Sequence, residues 1–484
     1  VTLTWPMPPV IPVLPTLALT ESEQELLASL QHKLQADRAR LELRDAYYNG
    51  DQVITDLGIS IPPELRHLHT IVGWSRLAVD ALHERMDVEG FRFPRADDAD
   101  EGLWEIWQAN NLDEESPLAH LDALVFGRAY VLVGTGEDDD MPLVTVESPL
   151  NLAGIWDARR RRLAAALQVY EADGGHQAAF YLPDETVTLR SERTSRWEVV
   201  DRDRHRLGSV PVLRMANRQR AHDRSGWSEI TSEVMSITDA GCRALLRMEV
   251  GGEFYSTPQR YILGATEEAF QDSEGNKKTA WETYIGRVLA LERDEDGNLP
   301  EVGQFAAYDP SVHTQVVNLY AEIMASHTGL PPGYLGRATD NPASADAIRM
   351  STDRLVKRVR RRHRSFEGAW EGAMRLAARF RGQSLGEDAH LIETIWSNPE
   401  IPTPAATTDS IAKQIEVGYL PATSDVAGEK LGYSPLQRGR IDAERRRQEG
   451  ENALSALVAR TRAPVPQPGV TGDDDEQPGQ PASG

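Results

Sequence analysis

The sequence predicts an α+β fold class in which helix predominates, spread over several structural regions. Three observations carry that expectation. Apolar residues recur at helical spacing through long stretches early and late in the chain. Between them, short strand-like runs alternate with turn signals. The length, 484 residues, exceeds what one compact core organises.

Residues 1–19 are proline-rich and aperiodic, and read as an extended arm and not as a signal peptide, because no basic flank precedes Val10, Ile11, Val13 and Leu14. Thr20 with Glu23 makes a capping box, and the helix it opens places Leu26, Leu27, Leu30, Leu34 and Leu41 in register until Asn49-Gly50 stops it. A second helix is expected over 67–85 around Trp74, Leu77, Ala78, Ala81 and Leu82, with shorter ones over 100–110 and 117–126. After Phe126 the runs 130–133, 143–146, 167–170, 178–181, 186–189 and 197–200 suggest an antiparallel β region. The acidic turn Glu137 to Asp140 lacks the ligand spacing of a calcium loop and reads as solvated.

Residues 227–255 read as a long helix of roughly 40 Å at 1.5 Å per residue, with Ile230, Val234, Ile237, Leu245 and Met248 on its stripe. An α/β insert follows over 257–309, with strand candidates at 261–263 and 287–291. The next helix, 310–327, carries Val312, Val316, Leu319 and Ile323, with Pro310 in its first turn and Gly329 at its cap. A Gly/Pro-rich loop over 329–343 leads to a helix over 344–381 that carries a basic run, then a strand over 390–396. Short helices separated by Gly-Tyr turns are expected over 409–448, and a disordered Pro, Gly, Asp and Gln tail after that, over 451–484.

The net charge of −23 argues against a surface built to grip nucleic acid. It suits solubility, and equally a surface along which DNA slides without sticking. No stretch reaches the roughly 20 apolar residues of a membrane helix, so no membrane partner is expected. Cys242 is the single cysteine, which rules out an intramolecular disulfide, and it reads as a buried apolar thiol and not a reactive one. There is no phosphate-binding loop, zinc-protease histidine pair or serine nucleophile elbow. Paired carboxylates fall in polar, loop-like contexts. The expectation is a non-enzyme with no cofactor and no metal.

Three motifs resemble the portal proteins of long-tailed bacteriophages: Tyr47-Tyr48-Asn49-Gly50-Asp51-Gln52, then Asp239 with Thr257-Pro258-Gln259-Arg260, then Gly329 to Gly336 followed by Asn341 to Arg349. Their order around helix–insert–helix–loop–helix matches over about residues 20–450. The resemblance implies a multi-region portal fold and a homo-oligomeric ring of about twelve subunits. On that reading 20–226 is the wing, 227–256 and 310–328 the stem helices, 257–309 the clip and 329–344 the tunnel loop. Residues 345–399 are the long helix returning to the wing, and 400–450 the crown.

The function so implied is a conduit for double-stranded DNA at one capsid vertex of the virion, assembled in the host cytoplasm. It also serves as a docking platform for the terminase and then the head–tail adaptor, with major capsid and scaffolding proteins as neighbours. Gly329, Tyr334, Arg337, Asn341 and Arg349 are the DNA-tunnel candidates, although the loop also reads as a buried helix–helix connector. Glu267, Glu268, Lys277, Lys278, Glu292 and Arg293 are candidates for binding motor and adaptor. In the basic run, Lys357, Arg358, Arg361 and Arg362 suit ion pairing between subunits, with DNA contact the alternative. Consecutive helical positions face all round the axis, so the run cannot line one tunnel as a block. The rival readings are another head–tail component (an adaptor or minor capsid protein) and a packaging-associated nuclease.

Overall fold

Thr20 opens the first helix in the way its sequence requires. Its backbone N–H donates to Glu23 Oε2 at 2.8 Å, and Glu23 N–H donates back to Thr20 Oγ1 at 3.4 Å. The resulting helix α1 (Glu21–Asn49) ends at Gly50, whose φ of +84° is a left-handed conformation that favours glycine. The computed structural model describes residues 19–54, 70–93, 100–136, 141–172, 175–191, 197–255, 260–263, 301–304, 309–336, 345–400, 404–433 and 435–462. They belong to two units, Val1–Pro399 and Glu400–Gly484.

In the first unit α1 is followed by α2 (Trp74–His83), β1 (Val88–Arg92), α3 (Glu101–Ala109) and α4 (Leu112–Phe126). Helix α4 begins five residues before Pro117, where a start was expected, and carries that proline inside it. Eight strands follow: β2 (Arg128–Thr135), β3 (Pro142–Glu147), β4 (Leu152–Asp157), β5 (Arg162–Ala172), β6 (Gly175–Tyr181), β7 (Thr186–Ser191), β8 (Glu198–Asp203) and β9 (Val212–Ala216). They form two antiparallel sheets, ordered β3-β2-β9 and β4-β5-β6-β7-β8. The six expected runs lie in β2, β3 and β5 to β8. Strands β1, β4 and β9 were not expected.

The five-stranded sheet packs its apolar face on α1. Leu27 and Leu30 meet Ala165, Leu167, Phe180, Val187 and Leu189. Arg202 of β8 reaches across to Glu23 at 2.8 Å and Glu185 at 2.6 Å, tying the cap of α1 to the sheet.

Downstream come α5 (Ser232–Tyr255), the hairpin strands β10 (Arg260–Leu263) and β11 (Glu301–Gln304), α6 (Ser311–Thr328) and α7 (Ala345–Phe380). Helix α5 starts five residues after the expected Trp227, because Ser228 and Glu229 are held in a buried loop: Ser228 Oγ donates to Val125 O at 2.5 Å. Strand β12 (Glu393–Trp396) then pairs with β1. The expected strand 287–291 lies outside the described residues.

Helix α7 is the spine of the main core. Its Phe366, Trp370, Ala373 and Met374 pack with Phe91, Trp107 and Leu124. Trp107 and Trp370 meet edge-on at 5.1 Å, and Trp370 Nε1 donates to the buried His120 Nε2 at 2.9 Å. Burial pulls the His120 pKa down to about 3 and that of His363 to about 4, so both rings are neutral near pH 7.

One close crossing sits beside this core. Gly127 ends α4 with φ of +95° and Gly226 turns the chain with φ of +93°. A Cβ on Gly226 would overlap the Gly127 carbonyl, and a Cβ on Gly127 would lie 2.9 Å from the Trp227 backbone.

The second unit contains α8 (Pro404–Glu416), α9 (Asp425–Lys430) and α10 (Pro435–Arg462). Ile411, Leu420 and Ala427 form its small apolar cluster. The expected Gly-Tyr turns appear at Gly418 (φ +74°) and Gly432 (φ +84°). Helix α10 is a single element of 28 residues that continues through Gly450 to Arg462, beyond the point where a disordered tail was expected to begin. Among the described residues no helix is long and apolar enough to cross a membrane.

Candidate functional site

The base of α5 is fixed by polar contacts that converge from distant parts of the chain. Glu229, three residues before the helix, is buried, and desolvation alone would raise its pKa. Arg362, Arg358 and Arg218 outweigh that and hold the carboxyl below its usual value. Arg358 Nη2 donates to Oε2 at 2.7 Å and Arg362 Nε donates to Oε1 at 3.0 Å. Asn217, just past β9, donates its side-chain N–H to the same carboxylate at 2.9 Å. One carboxylate therefore joins α7, the end of β9 and the start of α5.

A second set of contacts holds the other side of α5. Tyr47 O–H donates to Asp239 at 2.8 Å, and Tyr48 O–H donates to Asp80 at 2.9 Å. Burial, then the Asp80 carboxylate, push the Tyr48 pKa up to about 12. Ser75 and Thr238 hydroxyls share a buried hydrogen bond of 3.0 Å. Cys242 Sγ accepts the Val72 N–H at 3.3 Å, and burial raises its pKa, so the thiol is a packed group and not a nucleophile. Gly241 lies against Trp74, where a Cβ would come within 2.7 Å of the indole. The tyrosines and the aspartate that carried the resemblance are thus parts of one junction between α1, α2 and α5.

The expected ion-pairing residues divide. Arg358 and Arg362 take their carboxylate from the same chain, which corrects the expectation of a partner in a neighbouring subunit for those two. Lys357 is exposed and pairs with Asp353 one turn away at 2.7 Å. Arg361 is exposed on α7. Glu229 had not been singled out at all; it stands 129 positions from Arg358, and no local pattern joins them.

The loop candidates divide as well. Gly329 is buried and caps α6 with φ of +68°, with the Arg354 side chain lying where its Cβ would project. That placement removes Gly329 as a surface for DNA. Tyr334 is 39% exposed, and its hydroxyl accepts from Arg85 Nη2 at 2.8 Å. Leu330 and Leu335 on either side belong to the main core. The first part of the loop is therefore a docked connector, ending in a single 3-10 turn over Pro332–Leu335. Arg337 and Asn341 lie outside the described residues, as does the Arg349 side chain. Glu267, Glu268, Lys277, Lys278, Glu292 and Arg293 also lie outside them, as does the acidic turn 137–140. Among the described residues no group of His, Cys, Asp and Glu is arranged to hold a metal.

Comparison with known proteins bears on what this scaffold is. The family model described as "Phage portal protein, SPP1 Gp6-like" matches residues 27–425. The portal protein of Mycobacterium phage D29 is 39% identical over 429 residues, 86% of each chain. That of Mycobacterium phage L5 is 38% identical over 424 residues, 85% of each. Among solved structures, a chain of the neck of a native GTA particle, computed with C12 symmetry, aligns with a TM-score of 0.41 and 14% identity. That alignment covers 78% of this chain and 95% of the other. The family match takes in most of α1, both sheets, the α5 base and α7, including every residue of the Glu229 and Asp239 contacts, and the chain belongs to the phage portal protein family.

Proposed function

We propose that the chain forms a closed ring at one capsid vertex, the conduit through which DNA enters and leaves the head. The same ring is the platform on which the terminase and then the head–tail adaptor dock. Beyond the family membership, one observation carries this reading. The stripe Val312, Val316, Leu319 and Ile323 stays outside the buried core of its own chain, with Val316 and Ile323 half-buried and the other two exposed. Helix α6 buries Ala321, Met324, Ala325 and Thr328 instead, and leaves Val312 57% and Leu319 52% exposed. An apolar row on a helix paired with α5 suits contact with a second copy of the same surface set. Stiff paired helices braced by the α5 base suit a wall that must keep its shape while DNA moves. An acidic chain limits phosphate affinity, which otherwise grows with every cation placed against the backbone.

Native mass spectrometry and negative-stain images of the purified chain are expected to show rings with a central hole. Val312→Glu with Leu319→Glu is expected to leave folded monomers. A folded wild-type chain that stays monomeric at micromolar concentration overturns the reading. Within it, residues 257–309 are the docking segment, and 337–343 with Arg337 and Arg349 approach the DNA. Charge reversal at Glu267, Glu268, Lys277 and Lys278 is expected to abolish packaging or tail joining while rings persist. Deletion of 337–343 is expected to reduce DNA packaging or retention, again with rings intact. Lys357 and Arg361 remain the ion-pairing positions toward a neighbouring subunit.

A further inference from the structure

The distal half of α7 forms one wall of a cleft of about 690 Å³ whose charge is opposite to that of the chain. Strand β9 with its flanks, the β4–β5 turn and the stretch 383–389 after α7 form the rest. Five arginines line it, Arg161, Arg162, Arg214, Arg375 and Arg379, and no carboxylate does among the described residues. The floor is apolar, with Leu163, Val210, Leu376 and Leu385. A second hollow of about 540 Å³ shares Trp156, Arg161 and Arg214 with the first and adds Lys33 and Arg224, with Asp223 its one acid. On a chain of net charge −23 this is a local reversal of sign.

Arg214 marks the cleft as incomplete. Its guanidinium stacks over the Trp156 ring at 4.1 Å, yet Nε and Nη2 are buried with no hydrogen-bond partner in this structure. Burial depresses its pKa to about 10. A desolvated guanidinium whose N–H groups lack acceptors is costly even with Asp223 in its neighbourhood, and nearby Glu371 offers Arg375 only a 3.9 Å contact. Arg379 donates to a backbone carbonyl, Leu207 O, and not to a carboxylate.

We infer that this cleft binds an extended acidic segment of a partner protein, with carboxylates on the arginines and interleaved apolar side chains on the floor. A cavity of this size takes a short peptide or small molecule. A DNA duplex, whose major groove alone is about 12 Å wide, presents a convex surface of phosphates and could reach only the rim. An apolar floor gives phosphates nothing to bury, whereas it accepts leucine or valine between acids. The proposal does not depend on ring formation.

Fluorescence anisotropy tests it on the full-length chain with a fluorescein-labelled peptide of alternating glutamate and leucine. Saturable binding at low salt is expected. Arg162→Glu with Arg379→Glu is expected to weaken it at least tenfold, and Arg446→Glu, on α10, to leave it unchanged. If the charge-reversed variant fails to fold, Arg375→Gln with Arg379→Gln provides the same reading with a smaller loss. Absence of saturable binding, or binding unchanged in a folded variant, overturns the proposal. So does displacement by a short DNA duplex at equal anion concentration, or equal binding of a peptide in which serine replaces leucine.

Discussion

The middle and the end of α7 carry the same side chain to opposite purposes. In the middle, Arg358 and Arg362 are sunk beside a buried carboxylate and are neutralised within the chain. About four to six turns later, Arg375 and Arg379 stand on the wall of a cleft with no lining carboxylate among the described residues. The first pair holds the start of α5 to α7; the second holds nothing comparable. An arginine run is therefore not one feature. Each cation's role follows from whether the fold supplies its counter-charge.

Removing the counter-charge breaks the comparison most sharply. Glu229→Ala would leave the buried Arg362 and the half-buried Arg358 without a carboxylate and is expected to cost about 3–5 kcal/mol, measured by urea unfolding. A loss below about 1 kcal/mol would show that the middle arginines are as unneeded by the fold as the end ones. The same carboxylate has a pH signature. Its folded pKa is lowered, so its stabilisation is present above the ordinary glutamate value of 4.5 and is lost as pH falls below it.

The neutral histidines packed near that helix lose their contribution earlier. Their folded pKa values, about 3 for His120 and about 4 for His363, lie below the ordinary histidine value of 6.5. The unfolded chain therefore binds more protons as pH falls through 6.5, and stability declines from there toward pH 4. Unfolding free energies from urea titrations at pH 7 and pH 4.5 should differ by on the order of 5 kcal/mol, about half from each ring. A flat profile over that range would remove both rings from the buried core.

Tyr47→Phe tests the junction on the other side of α5. It deletes one hydrogen bond to Asp239 from a half-buried position and is expected to cost about 1 kcal/mol. Arg375→Gln with Arg379→Gln is the smallest and most discriminating change. Because Arg375 meets Glu371 only at 3.9 Å and Arg379 donates to a backbone carbonyl, unfolding stability should stay within about 0.5 kcal/mol of the parent. A large loss would place them in the same class as Arg358.

Much of the frame was legible because its signals are local. The capping box at Thr20, the Asn49-Gly50 stop and the Gly329 cap each depend on residues within one turn. The six recognised strands alternate or carry branched residues between clear turn signals. Strand β4 hides because Ala153 and Gly154 give little β signal. Strand β9 follows Pro211 and has a charged Arg214 at its centre, and β1 is five residues interrupted by Gly90. Helix α5 starts later than the sequence suggests because Ile230 fits the helical stripe while Ser228 and Glu229, just before it, serve tertiary contacts. The site was less legible than the fold. Tyr47 and Asp239 were noticed through resemblance, but their hydrogen bond spans 192 positions, and the Glu229 pairings span 129 and 133. The sign of a cleft built from three separate segments has no sequence period.

The crossing of Gly127 and Gly226 has a consequence for inheritance. Each glycine excludes a side chain at the other's position by backbone alone, and each also holds a left-handed φ. No substitution at one can be rescued by a change at the other, since nothing smaller than glycine exists. The two codons are therefore frozen separately and cannot drift as a compensating pair. In a library that varies every position, both should be depleted to the same degree, and the double variants should recover nothing.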